Sequence, residues 1–516
     1  MSRHVEIHPG MYRDSVTLMQ ISASISQRPG VRSALVAMAT DLNLSLAAGM
    51  GFSLEADLTP SDLIVAIDAE DEATLAAARA AAEAALAERA RATGATGQAS
   101  DGVITPRTVA SAASRLDDAT LALISTPGRL AYLDAMDALT SGLSVMIFSD
   151  NVPVEQEVAL KAEATRRGLL VMGPDCGTAV VSGVGLGFAN VVRPGPVGLV
   201  AASGTGAQHV MALLDAAGVG ISHCLGVGGR DLSAQVRGAS TVAALDALDA
   251  DPATELILVI SKPPADEVAD AIRAHAATLS TPVQFALLGA DQPDLTEATA
   301  EVLRALGRPV PDWPVWGQTS DQPTGRFLRG LFCGGTLCDE AMVILSERLG
   351  PIFSNIPLRP EWALPAFDSF GTDVALTGHY CVDFGDDRFT TGRPHPMMDG
   401  SLRRERLAIE AADPEVGVIL LDVVLGHGAH PDPAAELAPA IADAHATAAR
   451  DGRQLSVVVS LTGTAGDPQG RDRQAEALAK AGAVVFASNA AAAQHAATLV
   501  ASRTSSVSAE IEGAGR

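Results

Sequence analysis

The sequence contains few aromatic and few charged residues. Aromatic side chains make up 3% of the 516 residues and charged ones 19%, whereas apolar residues reach 47%. This composition excludes a largely disordered chain and predicts cores built from Ala, Val and Leu. Because the chain is several times longer than a common domain, we expect several separate cores.

Cysteine is also scarce: there are five, and no two form a CxxC pair. This excludes a disulfide framework and predicts reduced thiols in a cytoplasmic protein. No uncharged apolar run reaches the roughly 18 residues of a membrane span, and the first residues lack the apolar core of a signal peptide. The expectation is a cytoplasmic protein that is neither exported nor membrane-spanning.

Positive charge is in deficit, and the formal net charge is -25. So acidic a chain repels a phosphate backbone, which argues against nucleic acid and anionic membranes as partners. A small phosphate is still compatible with this charge, because backbone N–H groups and a helix dipole act locally.

The order of apolar strands and helical stretches predicts a multidomain α/β protein. We expect a small α+β, ferredoxin-like module, then a Rossmann-like domain, then two flavodoxin-like domains and a disordered tail. A segment without periodicity, Ala92–Gly102, reads as a linker. The predicted boundaries are 1–95, 104–195, 196–308, 326–502 and 503–516.

Three segments of the third domain recur in the fourth in the same order. SGTGAQHV matches GGTLCDEA, DPATELILVI matches DPEVGVILLD, and PVQFALLGAD matches LSVVVSLTGTAGD. We infer two copies of one flavodoxin-like unit that face each other as a pseudo-dimer. That arrangement would bring equivalent helix N-termini together.

Each copy has a glycine-rich turn between an apolar strand and a helix, where free N–H groups and the helix dipole favour an anion. The alternative is an ordinary helix cap, but the duplication favours function. The predicted phosphate-binding residues are Ser203, Gly204, Thr205 and Gly206 in the first turn and Gly334, Gly335 and Thr336 in the second.

Further candidates lie in three other loops. Gly228, Gly229 and Arg230 follow a strand and suit a phosphate or carboxylate, or else form a tight loop with a solvated arginine. His427 and His430 are predicted as acid/base or phosphate partners, with a solvated loop as the alternative. One HxxH pair is too weak to predict a metal site.

The segment TGRPHPMMDG adds His395 as a catalytic candidate and Arg393 and Asp399 as binding candidates. A solvated surface is the alternative for this segment. Cys176 has no histidine near it in sequence and is interpreted as structural.

Taken together, the motifs resemble a known family. GPDC, SGTGAQH and GVGGRD occur in the order in which the α subunit of succinyl-CoA synthetase carries related motifs. With GGTLCDEA, RPHPMMD, GHGAHPDP and SLTGTAGDP included, nearly the whole chain resembles the FdrA family of acyl-CoA-synthetase-like proteins. This resemblance implies a CoA-binding-type Rossmann domain, two succinyl-CoA-synthetase-type domains, and companion subunits or a homo-oligomer.

The resemblance also implies an enzyme, an acyl-CoA-synthetase-like ligase that acts on an acyl or carbamoyl phosphate. The alternatives are an FdrA-type subunit of an oxamate carbamoyltransferase in purine nitrogen catabolism that needs no CoA, and a non-catalytic scaffold. The ligase's phosphorylated histidine has no counterpart at 289–292 or 462–470, and its glycine-rich CoA loop has none before Leu121. We therefore assign no certain cofactor, and CoA or a carbamoyl or acyl phosphate are the candidate ligands.

Overall fold

Short apolar strands alternate with Ala-rich helices through the computed structural model. It describes residues 2–514 except 12, 14, 55–57, 60, 93–105, 290, 319–322, 365–376 and 391–392, so most of the predicted linker lies outside the described residues. Two units result: Met1–Thr105 with Thr390–Pro394, and Pro106–Phe389 with His395–Arg516. No helix in the described ranges has both the length and the apolarity to cross a bilayer.

The first unit contains a three-stranded antiparallel sheet with β3 in the centre, in the order β1-β3-β2. Every residue of β3 is buried, because apolar side chains pack against both of its faces. This is the α+β module that the sequence predicts. Its elements are β1 (Ser2–His8), α1 (Ser15–Ser26), β2 (Val31–Met38), α2 (Asp41–Gly49), β3 (Leu63–Ala69) and α3 (Glu72–Ala92).

The second unit begins with a small parallel sheet in the order β4-β5-β6, connected by crossover helices as in a Rossmann fold. Its elements are α4 (Val109–Ala113), β4 (Leu121–Ile124), α5 (Gly128–Thr140), β5 (Ser144–Ile147), α6 (Val154–Arg167) and β6 (Val171–Met172).

A six-stranded sheet follows, in the order β12-β11-β9-β10-β7-β8. Its hairpin, β7 and β8, belongs to this sheet although it precedes the predicted boundary at residue 195. The elements are β7 (Thr178–Val181), β8 (Val184–Gly187), β9 (Pro194–Ala201), α7 (Gly204–Ala216), β10 (Ile221–Gly226), α8 (Ala239–Asp249), β11 (Leu256–Ser261), α9 (Asp266–Ala276), β12 (Val283–Leu287) and α10 (Leu295–Ala305).

A seven-stranded sheet completes the chain, in the order β13-β19-β18-β17-β14-β16-β15. The elements are β13 (Val315–Trp316), β14 (Phe327–Phe332), α11 (Gly335–Leu349), β15 (Ile352–Ser354), a 3-10 turn (Pro360–Trp362), β16 (His379–Asp383), α12 (Asp387–Thr390), α13 (Ser401–Ala412), β17 (Val416–Val424), α14 (Pro433–Arg450), β18 (Ser456–Thr462), α15 (Arg471–Lys480), β19 (Ala483–Phe486) and α16 (Asn489–Ala514). The predicted disordered tail begins within α16, and no side chain beyond Ala501 is described.

The internal repeat is confirmed by the topology of the two larger sheets. In the first, β9 leads into α7 and has β11 and then β12 on one side. In the second, β14 leads into α11 and has β17 and then β18 on the same relative side. The matched sequence segments therefore occupy equivalent places in two flavodoxin-like units.

Four helices, α7, α10, α11 and α16, share one apolar core with strands of both larger sheets. Val210, Val302 and Leu337 come from three of these helices and are fully buried. Helix α16 contributes small side chains, among them Ala493 and Ala497, which let helix backbones approach closely. The scarcity of aromatic residues is thus compatible with a dense core.

A buried carboxyl group connects three of these helices. Glu340 of α11 accepts hydrogen bonds from the Leu295 N–H at the start of α10 (2.6 Å) and from the Asn489 side-chain amide at the start of α16 (2.7 Å). Burial, with a contribution from Asp294, raises the pKa of Glu340 to about 8.

Replacing Glu340 with alanine should destabilise this shared core, because it leaves two buried donors without an acceptor. We expect the free energy of unfolding to fall by about 1–3 kcal/mol for each stranded donor. Chemical denaturation of Glu340→Ala beside Glu347→Ala measures this, since Glu347 lies on the exposed side of the same helix. Equal stability of the two variants would contradict the assignment.

Candidate functional site

The two glycine-rich turns meet at the interface between the repeated units. The Ser203 hydroxyl donates a hydrogen bond to Thr336 Oγ1 (2.6 Å) and accepts one from the Gly206 N–H (2.9 Å). Both side chains are buried, at 8% and 2% exposure. The N-termini of α7 and α11 therefore face each other, and the two hydroxyls join the turns to one another.

Glycine is required for so close an approach. A Cβ on Gly206 would lie 2.7 Å from Ser203 Oγ and 3.0 Å from Thr336 Cγ2. A Cβ on Gly334 would lie 2.9 Å from the Cβ of Thr205. Larger residues at either position would push the two helix starts apart.

Some of the amides at this site already have partners inside the protein. Asp422, fully buried on β17, accepts the N–H groups of Cys333 (2.7 Å) and Gly334 (2.9 Å) and pairs with Arg403 (3.3 Å). Other N–H groups lie in the first turns of the two helices: those of Gly204 and Thr205 on α7 and those of Gly335 and Thr336 on α11. N–H groups in a first turn have no acceptor within their own helix. Gly204, Thr205 and Gly335 are half-buried and so reach solvent.

A lysine that the sequence reasoning missed lies beside these amides. Lys262 directly follows β11, and its ammonium is 3.5 Å from Asp339 on α11. A Cβ on Gly335 would be 3.0 Å from Lys262 Nζ, so the ammonium lies at the start of α11. Burial opposes the charge, but Asp339 and Asp383 outweigh it and raise the pKa of Lys262. The position of Lys262 after a strand was the available signal.

Asp383, at the end of β16, was also missed. The same Cβ position on Gly335 is 2.6 Å from Asp383 Oδ2, and Asp383 Oδ1 accepts the Gly385 N–H (2.8 Å). Burial raises the pKa of Asp383 to about 7, although Lys262 acts in the opposite direction. A carboxyl group with this pKa is partly protonated at neutral pH.

His395 lies near Asp383, as a catalytic candidate should. A Cβ on Gly385 would be 2.9 Å from His395 Nε2 and 3.1 Å from Asp383 Oδ1. Burial, aided by Arg403, lowers the pKa of His395 to about 4, so the ring is neutral. Because Nδ1 accepts the Met397 N–H (3.3 Å), Nε2 is the protonated nitrogen.

The other two candidate histidines have different surroundings. His427 is exposed, and its backbone pairs with Ala189. His430 pairs with Glu436 (3.5 Å), and its Nδ1 accepts the Asp432 N–H (3.1 Å). The hydrogen bond to Glu436 raises the pKa of His430. These contacts hold the His430 side chain within the loop after β17 and the start of α14.

The loop after β10 packs against the GPDC segment. Gly228 approaches the Pro174 carbonyl so closely, at a positive φ of 89°, that a side chain would collide. Gly229 borders the same segment at Asp175. Arg230 Nη2 pairs with Glu157 (2.9 Å) and donates to the Val152 carbonyl (2.8 Å), so one nitrogen of the guanidinium is held by the Rossmann-like domain.

Arg393 and Asp399 are the remaining two binding candidates. Arg393 belongs to the first unit, and its side chain is exposed. Asp399 accepts the Ser401 N–H (2.9 Å), two residues later, which is the pattern of an Asx turn before α13.

The fold is that of an acyl-CoA-ligase-like protein. Residues 331–499 match the CoA-ligase family, and residues 1–102 match the family described as AllF, heavy metal-associated domain. The chain is 38% identical to YahF of Escherichia coli (strain K12) over 95% of this chain and 97% of that protein. The chain therefore belongs to the FdrA-like family of acyl-CoA-synthetase-like proteins.

Ligase α subunits are more distant relatives. Succinate–CoA ligase [ADP-forming] subunit alpha of Methanothermobacter thermautotrophicus is 28% identical over 34% of this chain and 59% of that protein. Malate–CoA ligase subunit alpha of Methylorubrum extorquens is 26% identical over 36% of this chain and 69% of that protein. The likeness to a succinyl-CoA-synthetase-like ligase thus covers part of each chain.

The ligands that these family names suggest can be compared with the residues present. None of the five cysteines lies within residues 1–102, so a thiolate metal site cannot form there. Within the described ranges, no group of three or more His, Cys, Asp or Glu side chains is arranged to hold a metal ion.

The second ligand to consider is coenzyme A. The turn after β4 has one glycine, Gly128, and the backbone of Asp150 and Asn151 fills the space where its side chain would lie. Gly128 is therefore needed for a close backbone approach, and the turn lacks the run of glycines expected of a CoA loop.

The raised pKa of Asp383 predicts a pH-dependent stability. Its folded-state pKa of about 7 lies above the ordinary value of 3.8, so the wild type loses stability as the pH rises from about 4 through 7. The side chains that act on Asp383 are Lys262, Asp339, Asp422, His395 and Arg388.

In Asp383→Asn this loss is absent, so the variant should gain stability relative to wild type as the pH rises. Urea denaturation at pH 5 and pH 8 tests this, with a larger difference in favour of the variant at pH 8. A difference of the same size at both pH values would show that Asp383 does not titrate in this range.

Proposed function

We propose that the chain transfers an acyl or carbamoyl group from its phosphate, and that the phosphate binds between the N-termini of α7 and α11. The observation that carries this proposal is the 2.6 Å hydrogen bond between Ser203 and Thr336, which holds two dipole-bearing helix starts at one place. The amides of Gly204, Thr205, Gly335 and Thr336 are the proposed donors, and Thr205 adds a hydroxyl. Ser203, Gly206 and Gly334 keep the two turns in contact.

The chemistry of such a transfer suits this arrangement. An acceptor atom forms a bond to the carbonyl carbon, the C–O bond to phosphate breaks, and phosphate leaves with the bonding electron pair. Preorganised N–H donors stabilise the charge that develops on the leaving phosphate. Asp383, with its pKa of about 7, is the candidate to take up the proton that the acceptor releases, and neutral His395 is a candidate hydrogen-bond donor through Nε2.

A phosphohistidine step is not part of the proposal. The loops at 289–292 and 462–470 contain no histidine. His209 of α7 lies nearby in sequence, but both ring nitrogens are bonded, to Thr462 Oγ1 (2.8 Å) and to the Asn489 N–H (3.3 Å). Burial lowers its pKa to about 4, as expected for a core histidine.

Oxamate is the acceptor that we favour over coenzyme A, which makes the chain a subunit of an oxamate carbamoyltransferase. The absence of a glycine-rich turn after β4 and of a histidine at 289–292 and 462–470 supports this preference. If coenzyme A does bind, it supplies a thiol as acceptor. Companion subunits are part of the proposal, because the ligase relatives are named as α subunits.

The reaction is tested with the full chain, alone and together with the proteins encoded beside it. Phosphate release from carbamoyl phosphate is measured with oxamate, and separately from ATP with coenzyme A and a dicarboxylate. Release that requires oxamate supports the carbamoyltransferase. ATP- and CoA-dependent release favours the ligase, and no release in either assay favours a non-catalytic scaffold.

Gly334→Ala should lower the transfer rate, since its Cβ collides with Thr205 and separates the two helix starts. We expect at least about a tenfold loss, equivalent to roughly 1.4 kcal/mol of transition-state stabilisation. Gly49→Ala is the matched control, because a Cβ there meets nothing within 4 Å. Full activity of Gly334→Ala would contradict a shared site.

A further inference from the structure

Lysine is exceptionally rare in this chain, which contains three: Lys161, Lys262 and Lys480. Lys161 is buried and bonded to Glu157 (2.8 Å), Asp231 (2.7 Å) and the Val227 carbonyl (3.1 Å), so all three of its donors are used. The Lys480 side chain is 79% exposed on α15. Lys262 alone combines partial exposure, at 38%, with a place at the paired helix starts.

We propose that Lys262 is the cationic ligand of the phosphate group at this site and that Asp339 and Asp383 hold its ammonium in place when no anion is bound. This inference rests on the proposed function and names a residue that neither the motifs nor the family resemblance assigned. Any acyl or carbamoyl phosphate, and inorganic phosphate itself, offers the oxygens that such an ammonium binds.

The geometry leaves Lys262 able to bind an anion. Its ion pair with Asp339 is long, at 3.5 Å, and an ammonium has three donors. Lys262 Nζ and Asp383 Oδ2 lie 3.0 Å and 2.6 Å from the position that a Cβ on Gly335 would take. Gly335 is the first residue of α11, so both groups lie at the end of the helix whose N–H groups point outward. An anion at that end meets the ammonium and the free first-turn amides together.

The positive charges near this end of α11 offset those of the two carboxyl groups. Each helix start contributes about half a positive charge, and Lys262 adds a full one. Burial raises the pKa of Asp339 and that of Asp383, so the protonated forms of both are favoured more than in water. Uptake of a proton by either carboxyl offsets the charge of the bound phosphate.

Binding is tested with inorganic phosphate on the full chain, by calorimetry, in wild type, Lys262→Met and Lys480→Met. Lys262→Met should weaken binding roughly ten- to hundredfold, which is the effect of losing a charge-assisted hydrogen bond. Lys480→Met should bind as wild type does. Equal affinity of Lys262→Met and wild type would overturn the assignment.

A second measurement follows phosphate binding to the wild-type protein, and the variants serve only to assign its resonances. Protein labelled with ¹³C at lysine Cε gives three resonances, which the two methionine variants and the buried Lys161 assign. Phosphate should shift the Lys262 resonance and leave that of Lys480 unchanged; a phosphate complex with an unshifted Lys262 resonance would overturn the inference. Phosphate binding at Lys262 without turnover would refute the proposed reaction and leave this site standing.

Discussion

The close approach of two helix N-termini is the constraint on which the rest of the site depends. Ser203 and Thr336 hydrogen-bond across the interface of the repeated units, and Gly206 and Gly334 leave no side chain between them. The positive ends of two helix dipoles repel each other at one place unless negative charge lies near. Asp422, Asp339 and Asp383 supply that charge, and Lys262 balances part of it.

This arrangement follows from the duplication of one flavodoxin-like unit. In each copy the turn after the first strand lies at the carboxyl end of a parallel sheet, where α/β proteins place their sites. Because α7 and α11 pack in a shared core, the turns at the carboxyl ends of the two sheets lie next to each other. The alanines of α16 and the shortage of aromatic side chains let these helices pack closely. The composition of the chain thus contributes to the close approach of the two turns.

The features that could be predicted were those that leave a local pattern. The strand, glycine turn and helix recur at Ser203 and Gly334, which was enough to predict the repeat and the meeting of the two turns. The short hairpin of β7 and β8 was not predicted, because its strands, at Thr178–Val181 and Val184–Gly187, are too short to show a period. Its partner, β10, is also distant in sequence.

Lys262 and Asp383 were missed because their roles depend on contacts made across the interface, between segments far apart in the chain. His430 illustrates the opposite case. Its position in the loop after β17 led to the prediction of an acid/base or phosphate role, and Glu436, six residues later on α14, forms an ion pair with it. Spacing alone does not reveal which partner a side chain finds, and for charged residues that partner decides the chemistry.

If the two flavodoxin-like units hold one anion between them, a crystal structure of the full chain with tungstate, a heavy analogue of phosphate, will show it. We predict one anomalous peak within hydrogen-bond distance of first-turn amides from both α7 and α11 and of Lys262 Nζ. A peak that contacts one helix alone, or no peak between the helices at saturating tungstate, would mean that the two turns do not form one site.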